Sequence, residues 1–360
     1  MSKRTISPVV SVGIDCPIVR EGDDIVSVVV KNVLGQERLN DYDVIAITES
    51  VVARAAGLYV TVDEIAEDVI RKFGPNAEIK LICPIYSRNR FSLILKGIAR
   101  SAKSIICWMP EFDEVGNPAG VNPFTGVDIC KYYKEICESE NCEFTVVNNL
   151  TQYAGYLTSN IIHCGLHNSY LKNVGNSLKF YTLADICSDK NPDFGLLGTN
   201  KATDERLKLF PTKELAAKVC SEIKHKIADA TGVNVIVMVY GDGCFKSPQI
   251  DNVAGSSIWE FADPVAYLTS EEDEFILNSH PNEIKVKYLA DDKYKDYSGK
   301  ELKNAIIKEV EAISSDLKGN MTQEGCTPRR YGDLLASLCD LTSGSGSRMT
   351  PVVVVKNYIK

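Results

Sequence analysis

Residues 333–359, DLLASLCDLTSGSGSRMTPVVVVKNYI, combine a helical pattern, a small-residue loop and a strand in one short stretch. Helical apolar spacing is shared by four leucines, Leu334, Leu335, Leu338 and Leu341. Val352 to Val355 is an unbroken β-branched run that follows Pro351, which is typical of a strand covered on both faces. The stretch therefore predicts a helix, a loop and a buried strand.

The loop between this helix and this strand, Ser343 to Ser347, alternates serine and glycine. Small residues allow close backbone approach and leave several N–H groups exposed, an arrangement that suits phosphate oxygens. The same composition is typical of a mobile surface linker, and taken alone it favours that second interpretation. The loop residues by themselves leave both alternatives open.

The composition is that of a globular protein of 360 residues, enough for one large domain or two ordinary ones. A formal net charge of −8 argues against nucleic acid or an anionic membrane as the main partner. The longest apolar runs are strand-sized, so we expect no membrane span. The N-terminal apolar run is too short for a signal peptide. Because the 12 cysteines lack paired spacing, we expect a cytoplasmic protein with reduced thiols.

Strand and helix patterns alternate along most of the chain. Between residues 77 and 149 they fall at Lys80–Ile85, Phe91–Arg100, Ser104–Trp108, Gly126–Cys137 and Glu143–Val147. Alternation of this kind predicts mainly parallel pairing. Thr61 and Glu64 form a capping-box pattern, and Lys213 to Thr231 is a long helical pattern that Gly232 ends. The sequence contains no Walker motif, which argues against a P-loop fold.

Two histidines, His163 and His167, lie four residues apart, which is the spacing of two zinc ligands on one helix face. Gly165 weakens such a helix, and no third ligand is evident in the sequence. Packing or surface roles are therefore the preferred interpretation of this pair.

Two aspartates follow strand patterns. Asp242 follows the most apolar strand pattern, Val233–Tyr240, and lies between Gly241 and Gly243. That is the place where open α/β sheets bind ligands. Asp185 follows the pattern Lys179–Leu183, and a turn or cap role is its ordinary alternative. Both aspartates are candidate ligand-binding residues.

Two arginines, Arg329 and Arg330, lie in the first turn of the helix predicted near the C-terminus. The helix macrodipole disfavours cations at that end. Two arginines at a helix end that disfavours cations suggest an anion nearby, although solvated arginines are common.

The chain resembles the coenzyme F-420-0:L-glutamate ligases at both ends and in the middle third. Those ligases begin with a strand, a Pro-containing turn, Gly-Asp-Asp and a helix, which Pro17 and Gly22-Asp23-Asp24 match. Their nucleotide-binding Ser-Lys…Lys-Ala-Glu-Gly segment corresponds to ESVVARAAG, residues 49–57. Arg54 keeps a cationic position, whereas Glu49 and Ser50 depart from serine and lysine. The ligases also close with a similar helix, small-residue loop and Pro-capped strand, and that loop binds nucleotide.

The resemblance implies three groups of site residues. Nucleotide-binding residues would be Cys16, Pro17, Ile18, Val19, Ser50, Arg54, Ser343, Gly344, Ser345, Gly346, Ser347 and Arg348. Mg²⁺ or Mn²⁺ would be held by Asp185 and Asp242, with Ser345 standing where the family usually has a metal-binding glutamine. The ligases have a Gly-Val-Asp segment, whose aspartate binds the metal, followed about a dozen residues later by Leu-Leu-Pro; Asp185 and Leu196-Leu197 match these two features. Phosphate or carboxylate would be clamped by Lys201, Arg329 and Arg330.

The resemblance also implies a fold and a set of partners. The expected class is α+β, with mixed, largely parallel sheets and flanking helices. We expect one domain over residues 1–360, with a divergent inserted region at about 85–160 and an additional segment at about 249–326. The implied partners are GTP, L-glutamate, a small carboxylate acceptor and a second copy of the chain in a homodimer.

The implied reaction is amide ligation, in which GTP phosphorylates the acceptor carboxylate and the amine of L-glutamate displaces phosphate. Two alternatives remain. One is the same chemistry on a folate-type acceptor, because the middle region diverges. The other is a nucleotide-binding protein without ligase activity, because Glu49, Ser50, Gly243 and Ser345 depart from the family pattern. The sequence does not identify the acceptor.

Overall fold

The computed structural model describes residues 8–82, 88–109, 111, 118–122, 125–149, 159–164, 179–247, 258–278, 289–312, 331–343 and 349–359. For 242–247 and 258–265 it describes the backbone. The described part forms three β-sheets with helices packed against them. It therefore confirms a mixed α+β architecture with parallel and antiparallel pairing.

The elements are numbered in chain order. The strands are β1 Val10–Ile14, β2 Val44–Thr48, β3 Tyr59–Thr61, β4 Ala77–Ile82, β5 Ala102–Trp108, β6 Glu143–Val147, β7 Ile161–His163, β8 Phe180–Thr182, β9 Thr199–Lys201, β10 Arg206–Leu209, β11 Ile236–Ser247, β12 Ile258–Tyr267 and β13 Val352–Lys356. The α-helices are α1 Ile25–Gln36, α2 Glu49–Ala55, α3 Val62–Phe73, α4 Arg88–Ser101, α5 Ile129–Ser139, α6 Lys213–Thr231, α7 Ser270–Asn278, α8 Gly299–Ala312 and α9 Tyr331–Ser343. A π-helical turn covers Leu289–Lys293.

The first sheet has the order β1-β13-β2-β11-β12, and β2 and β11 are its parallel pair. The last strand, β13, lies between β1 and β2 and is antiparallel to both. Its residues Val352–Val355 are at most 1% exposed, because Val352 and Val354 pack into the core on one face and Val353 and Val355 into the core on the other. The predicted strand covered on both faces is confirmed.

The second sheet has the order β6-β5-β4-β7-β8, and every pairing in it is parallel. This confirms the parallel pairing that the strand–helix alternation predicts. One difference lies at α5, which begins at Ile129 rather than Gly126. The Asp128 side chain accepts a hydrogen bond from the Lys131 N–H at 2.9 Å and so caps the helix there.

The third sheet is small and antiparallel, with the order β3-β10-β9. It is joined to the second sheet through α4. The Arg90 guanidinium in α4 donates to the Thr199 carbonyl of β9 at 2.9 Å, in a buried position. The β9–β10 pair is therefore held by the region of the chain that diverges from the ligases.

Local signals placed several helix ends correctly. Thr61 and Glu64 form the predicted reciprocal capping box of α3. Helix α6 spans Lys213–Thr231 as predicted, with a Thr212 cap and Gly232 in the left-handed conformation. His163 lies in strand β7, so the idea of a zinc pair on one helix face is wrong for this residue, and His167 lies outside the described residues.

The nine cysteines whose side chains the structure describes are free thiols, in agreement with the expected reduced state. Among the described helices, none is both long enough and apolar enough to cross a membrane.

A buried carboxylate joins α3 to the turns that follow β8. Asp68 is 2% exposed and accepts hydrogen bonds from the Cys187 N–H at 2.7 Å, from Lys72 at 2.7 Å and from Arg71 at 2.8 Å. Burial raises its pKa, but these hydrogen bonds outweigh burial and leave the pKa below the ordinary value. The carboxylate therefore stabilises the fold in its ionised form.

We predict that Asp68→Asn lowers the free energy of unfolding by about 1–3 kcal/mol at neutral pH, because an amide loses the charge-assisted bonds. A depressed folded-state pKa gives stability that is present above the unfolded pKa and is lost as the pH falls through the folded value. The difference between parent and variant should therefore shrink below the ordinary pKa of 3.8. Urea unfolding at a series of pH values measures it.

The control is Asp189→Asn, since Asp189 contacts the same Arg71 from the surface with its side chain 58% exposed. An exposed pair contributes little, so this variant should unfold like the parent. A cost at Asp68 that stays constant down to acid pH would contradict an ionic role.

Candidate functional site

A cleft of about 410 Å³ opens at the carboxyl end of β2, beside its parallel neighbour β11. The carboxyl ends of parallel strands are where open α/β sheets bind ligands. The cleft is lined from the β1–α1 turn, the start of α2, β9, β11, the end of α9 and the entry to β13. Six segments far apart in sequence thus meet at one place.

Half of the residues predicted to bind nucleotide line this cleft: Cys16, Pro17, Ile18, Ser50, Arg54 and Ser343. Val19 does not, since it is 3% exposed and packs in the core beneath the turn. Gly344 to Arg348 lie outside the described residues, but Ser343 and Met349, which flank them, both line the cleft. Both ends of the Ser/Gly loop therefore lie at the cleft.

Backbone hydrogen bonds fix the edges of the cleft. The Cys16 N–H donates to the Met349 carbonyl at 3.1 Å, and the Thr48 N–H donates to the Pro351 carbonyl at 3.0 Å. Across the ends of the Ser/Gly loop, Thr350 Oγ1 donates to the Ser343 carbonyl at 3.1 Å. The first turn, the end of β2 and the last loop are therefore held in register.

Glu49 is a buried carboxylate in the wall of the cleft, 5% exposed. Its Oε1 accepts from Asn200 Nδ2 at 2.8 Å, and its Oε2 accepts from Thr48 Oγ1 at 2.8 Å. Asn200 belongs to β9 and also lines the cleft. The residue that departs from the family serine is thus held in place by two neutral donors.

A buried cation lies next to this carboxylate. Lys208 of β10 is 7% exposed, and its Nζ donates to Ser50 Oγ. Burial lowers the pKa of Lys208, while Glu49 raises it and Arg54 lowers it further. The family has a lysine at the position of Ser50. In this chain the ammonium of Lys208 lies next to Ser50 and supplies a positive charge there.

Strand β11 passes close to Glu49. A Cβ added at Gly241 would lie 2.7 Å from the Glu49 Cδ, so a larger residue at this position requires the Glu49 side chain to shift. The pairing of β11 with β12 shifts register between Gly241 and Gly243, a bulge that contains Asp242. The predicted metal residue Asp242 therefore directly follows Gly241, the residue of β11 that lies against Glu49.

Tyr240, the residue before Gly241, also lines the cleft. Burial raises the pKa of Tyr240 and keeps its phenol neutral.

Two predicted residues lie away from the residues that line the cleft. Asp185 is exposed, and its Oδ2 accepts from the Thr182 N–H at 2.6 Å and from Thr182 Oγ1 at 2.7 Å, as in an ordinary turn. Lys201 forms an ion pair with Asp204 at 2.8 Å. The metal role of Asp185 and the clamp role of Lys201 stay predictions, as do those of Arg329 and Arg330, which lie outside the described residues.

Asn200 was missed by sequence reasoning, although a signal existed. Gly198-Thr199-Asn200 also has the order of the family Gly-Val-Asp segment. Leu209-Phe210-Pro211 follows it about a dozen residues later, and Thr212 then caps helix α6. This second alignment puts Asn200, rather than Asp185, at the family aspartate. The structure places Asn200, and not Asp185, beside Glu49 in the lining of the cleft.

The donor set of the cleft suits a hard divalent cation. Glu49 supplies a carboxylate, Asn200 an amide oxygen and Asp340 of α9 a second carboxylate in the lining. Mg²⁺ and Mn²⁺ take oxygen ligands of these kinds. Within the residues that the structure describes, no three acidic, histidine or cysteine side chains already form a metal cluster. Asp242 is the predicted residue that would complete the set.

Together these features describe a polar cleft at the carboxyl end of β2, where β2 lies parallel to β11. The chain belongs to the F420-0:Gamma-glutamyl ligase family, whose family model matches residues 13–357. The match spans both ends of the chain and the cleft residues between them, which confirms the resemblance found in the sequence.

Other comparisons are less informative. A search of curated proteins gives no match. Among solved structures, a glutamyl-tRNA reductase from Methanopyrus kandleri aligns with 10% identity and a TM-score of 0.22. That alignment covers 80% of this chain and 63% of the reductase, so the chain spans less than two thirds of that protein's length.

We predict that Gly241→Ala lowers the free energy of unfolding by about 1–3 kcal/mol, because the added methyl group displaces a hydrogen-bonded, buried carboxylate. In a Glu49→Ala background the same substitution should cost much less. A double-mutant cycle on the two positions, measured by urea unfolding, gives the coupling.

Gly35→Ala is the matched control, since a Cβ there meets nothing within 4 Å and the site is an exposed helix position. It should be neutral or slightly stabilising. If Gly241→Ala cost the same with and without Glu49, the carboxylate would not be the group that the methyl displaces.

Proposed function

We propose that the protein is a nucleotide- and metal-dependent amide ligase that adds L-glutamate to a small carboxylate acceptor. GTP is the proposed phosphate donor, and the product is a γ-glutamyl amide formed through an acyl phosphate. Membership of a family of gamma-glutamyl ligases supports the reaction class. The proposal also assigns to this chain the ligase fold of the family.

One observation carries the proposal. Six residues that the resemblance assigns to nucleotide binding come from the β1–α1 turn, α2 and α9, and all six line one cleft. These segments are distant in sequence, and core packing alone would not gather this particular set. The cleft also has cationic and oxygen-donor groups side by side, as phosphoryl transfer requires.

The residues of the cleft suit this chemistry. A carboxylate exchanges its oxygen poorly unless that oxygen is first phosphorylated, and the transfer develops negative charge on phosphate oxygens. Arg54 lines the cleft and is exposed, so it can contact such oxygens from the solvent side. A bound Mg²⁺ or Mn²⁺ would neutralise further charge, with Glu49, Asn200 and the predicted ligand Asp242 as its holders.

The acceptor remains the open part of the proposal. Coenzyme F-420-0 is the first candidate because the family bears its name. A folate-type acceptor is the second, because the divergent region contributes α4, β5, α5 and β6 to the second sheet and its core. The predicted homodimer and single-domain organisation remain proposals.

The direct test incubates the protein with GTP, Mn²⁺ or Mg²⁺ and L-glutamate, with coenzyme F-420-0 or a folate monoglutamate as acceptor. We expect phosphate release that depends on both glutamate and acceptor. Mass spectrometry should show one acceptor heavier by one glutamyl unit. Omitting the metal or adding EDTA should abolish both signals.

The outcomes separate the alternatives. A product on the folate alone would support the second acceptor. GTP binding without phosphate release in any mixture would support a nucleotide-binding protein that lacks ligase activity. Absence of GTP binding would refute the proposal as a whole.

A separate prediction concerns the Ser/Gly loop, whose two ends lie at the cleft. Gly344→Val/Gly346→Val should abolish GTP binding in calorimetry, because β-branched residues prevent the close backbone approach that phosphate needs. The melting temperature without ligand should be nearly unchanged. Normal GTP binding by the double variant would mean that the loop is only a linker.

A further inference from the structure

Lys208 is a buried residue that contacts Ser50 in the lining of the cleft, and it lies on a strand to which the family resemblance assigns no role. In the β9–β10 pair, Lys208 lies directly opposite Asn200. Residues directly opposite in an antiparallel pair place their side chains on the same face of the sheet. Since Asn200 lines the cleft and donates to Glu49, the Lys208 side chain lies on the cleft side of β10.

The ammonium of Lys208 retains unused hydrogen-bonding capacity. It can donate three hydrogen bonds, and in the described part of the chain its partner is the Ser50 hydroxyl. By contrast, Lys72, Lys96 and Lys201 each form an ion pair with a carboxylate. A buried cation with a neutral partner is costly, and a charged ligand would offset that cost.

The surrounding charges favour an anion at this position. Ser50 and Arg54 are four residues apart in α2, which places them on one helix face. Arg54 acts on Lys208 as a like charge, and Glu49 is the carboxylate that partly offsets the two cations. From α9, Asp340 also lines the cleft. The Ser50 hydroxyl thus lies about one helical turn from Arg54 and in contact with the ammonium of Lys208.

We infer that Lys208, together with Ser50 and Arg54, forms a phosphate subsite in the cleft. The spread of three donors over one helical turn fits the several oxygens of a polyphosphate better than a single carboxylate. Lysine binds phosphate as a point charge, while arginine presents a fork to it. The inference rests on the proposal that the cleft binds a nucleotide, and it names a binding residue within it.

The experiment compares parent, Lys208→Met and Lys208→Gln by calorimetry with three probes: GTP with Mg²⁺, inorganic triphosphate and L-glutamate. Losing one charge-assisted hydrogen bond raises Kd by about 10–100-fold. We expect that increase for GTP and for triphosphate in both variants, with the Kd for L-glutamate unchanged. Without ligand, Lys208→Met should melt no lower than the parent, since it removes a buried charge and keeps the side-chain length.

The matched control is Lys80→Met, which removes a lysine that is 5% exposed from β4 in the second sheet. It should bind all three probes like the parent. Both Lys208 variants are first checked by circular dichroism. If both fail to fold, Lys208 serves the fold and the inference is overturned.

The remaining outcomes keep the inference separate from the proposed function. If GTP and triphosphate bind the Lys208 variants as tightly as the parent, the subsite is overturned while nucleotide binding stands. If triphosphate binding depends on Lys208 but the parent does not bind GTP, the subsite stands and the nucleotide proposal fails. A weakened response to L-glutamate alone would assign the cation to a carboxylate and overturn the phosphate subsite.

Discussion

The insertion of β13 between β1 and β2 is the constraint on which the cleft depends. The last strand of the chain is central in the first sheet and packs into a core on each face. Its entry is bonded to the first turn through Cys16 and Met349, and to the end of β2 through Thr48 and Pro351. These contacts join residues more than 300 positions apart, so the cleft exists only after the C-terminal strand has been placed.

The buried charges in the cleft have different partners from the buried charge of Asp68. Glu49 and Lys208 are both buried, yet each is hydrogen-bonded to neutral groups, Asn200, Thr48 and Ser50. Burial of an ion costs free energy unless nearby charges and hydrogen bonds compensate it. Asp68 differs, because it pairs directly with Lys72 and Arg71 and stabilises the fold. Buried charges of this kind are enriched at functional sites, so this pair supports the proposal that the cleft binds a ligand.

Short sequence patterns predicted the helix ends and the strand whose structure depends mainly on neighbouring residues. The Thr61 capping box, the Thr212–Gly232 limits of α6 and the β-branched run of β13 are short-range signals, and the structure confirms them. Half of the residues that the resemblance predicts to bind nucleotide line one cleft. Asn200 and Lys208 escaped because their position depends on the β9–β10 register, a long-range property. In the sequence Glu49 is a departure from the family serine, whereas the structure shows that it contacts Asn200 in the wall of the cleft.

The same β9–β10 register connects the cleft to the divergent region. Arg90 of α4 donates to the Thr199 carbonyl, one residue before Asn200, and Lys96 of the same helix pairs with Glu205 beside β10. Helix α4 also follows β4 in the parallel sheet. A ligand that moved α4 would therefore move the strands that carry Asn200 and Lys208. The divergent region thus contacts the β9–β10 pair through Arg90, Lys96 and Arg100, so a ligand bound in that region would act on the cleft through the strands that carry Asn200 and Lys208.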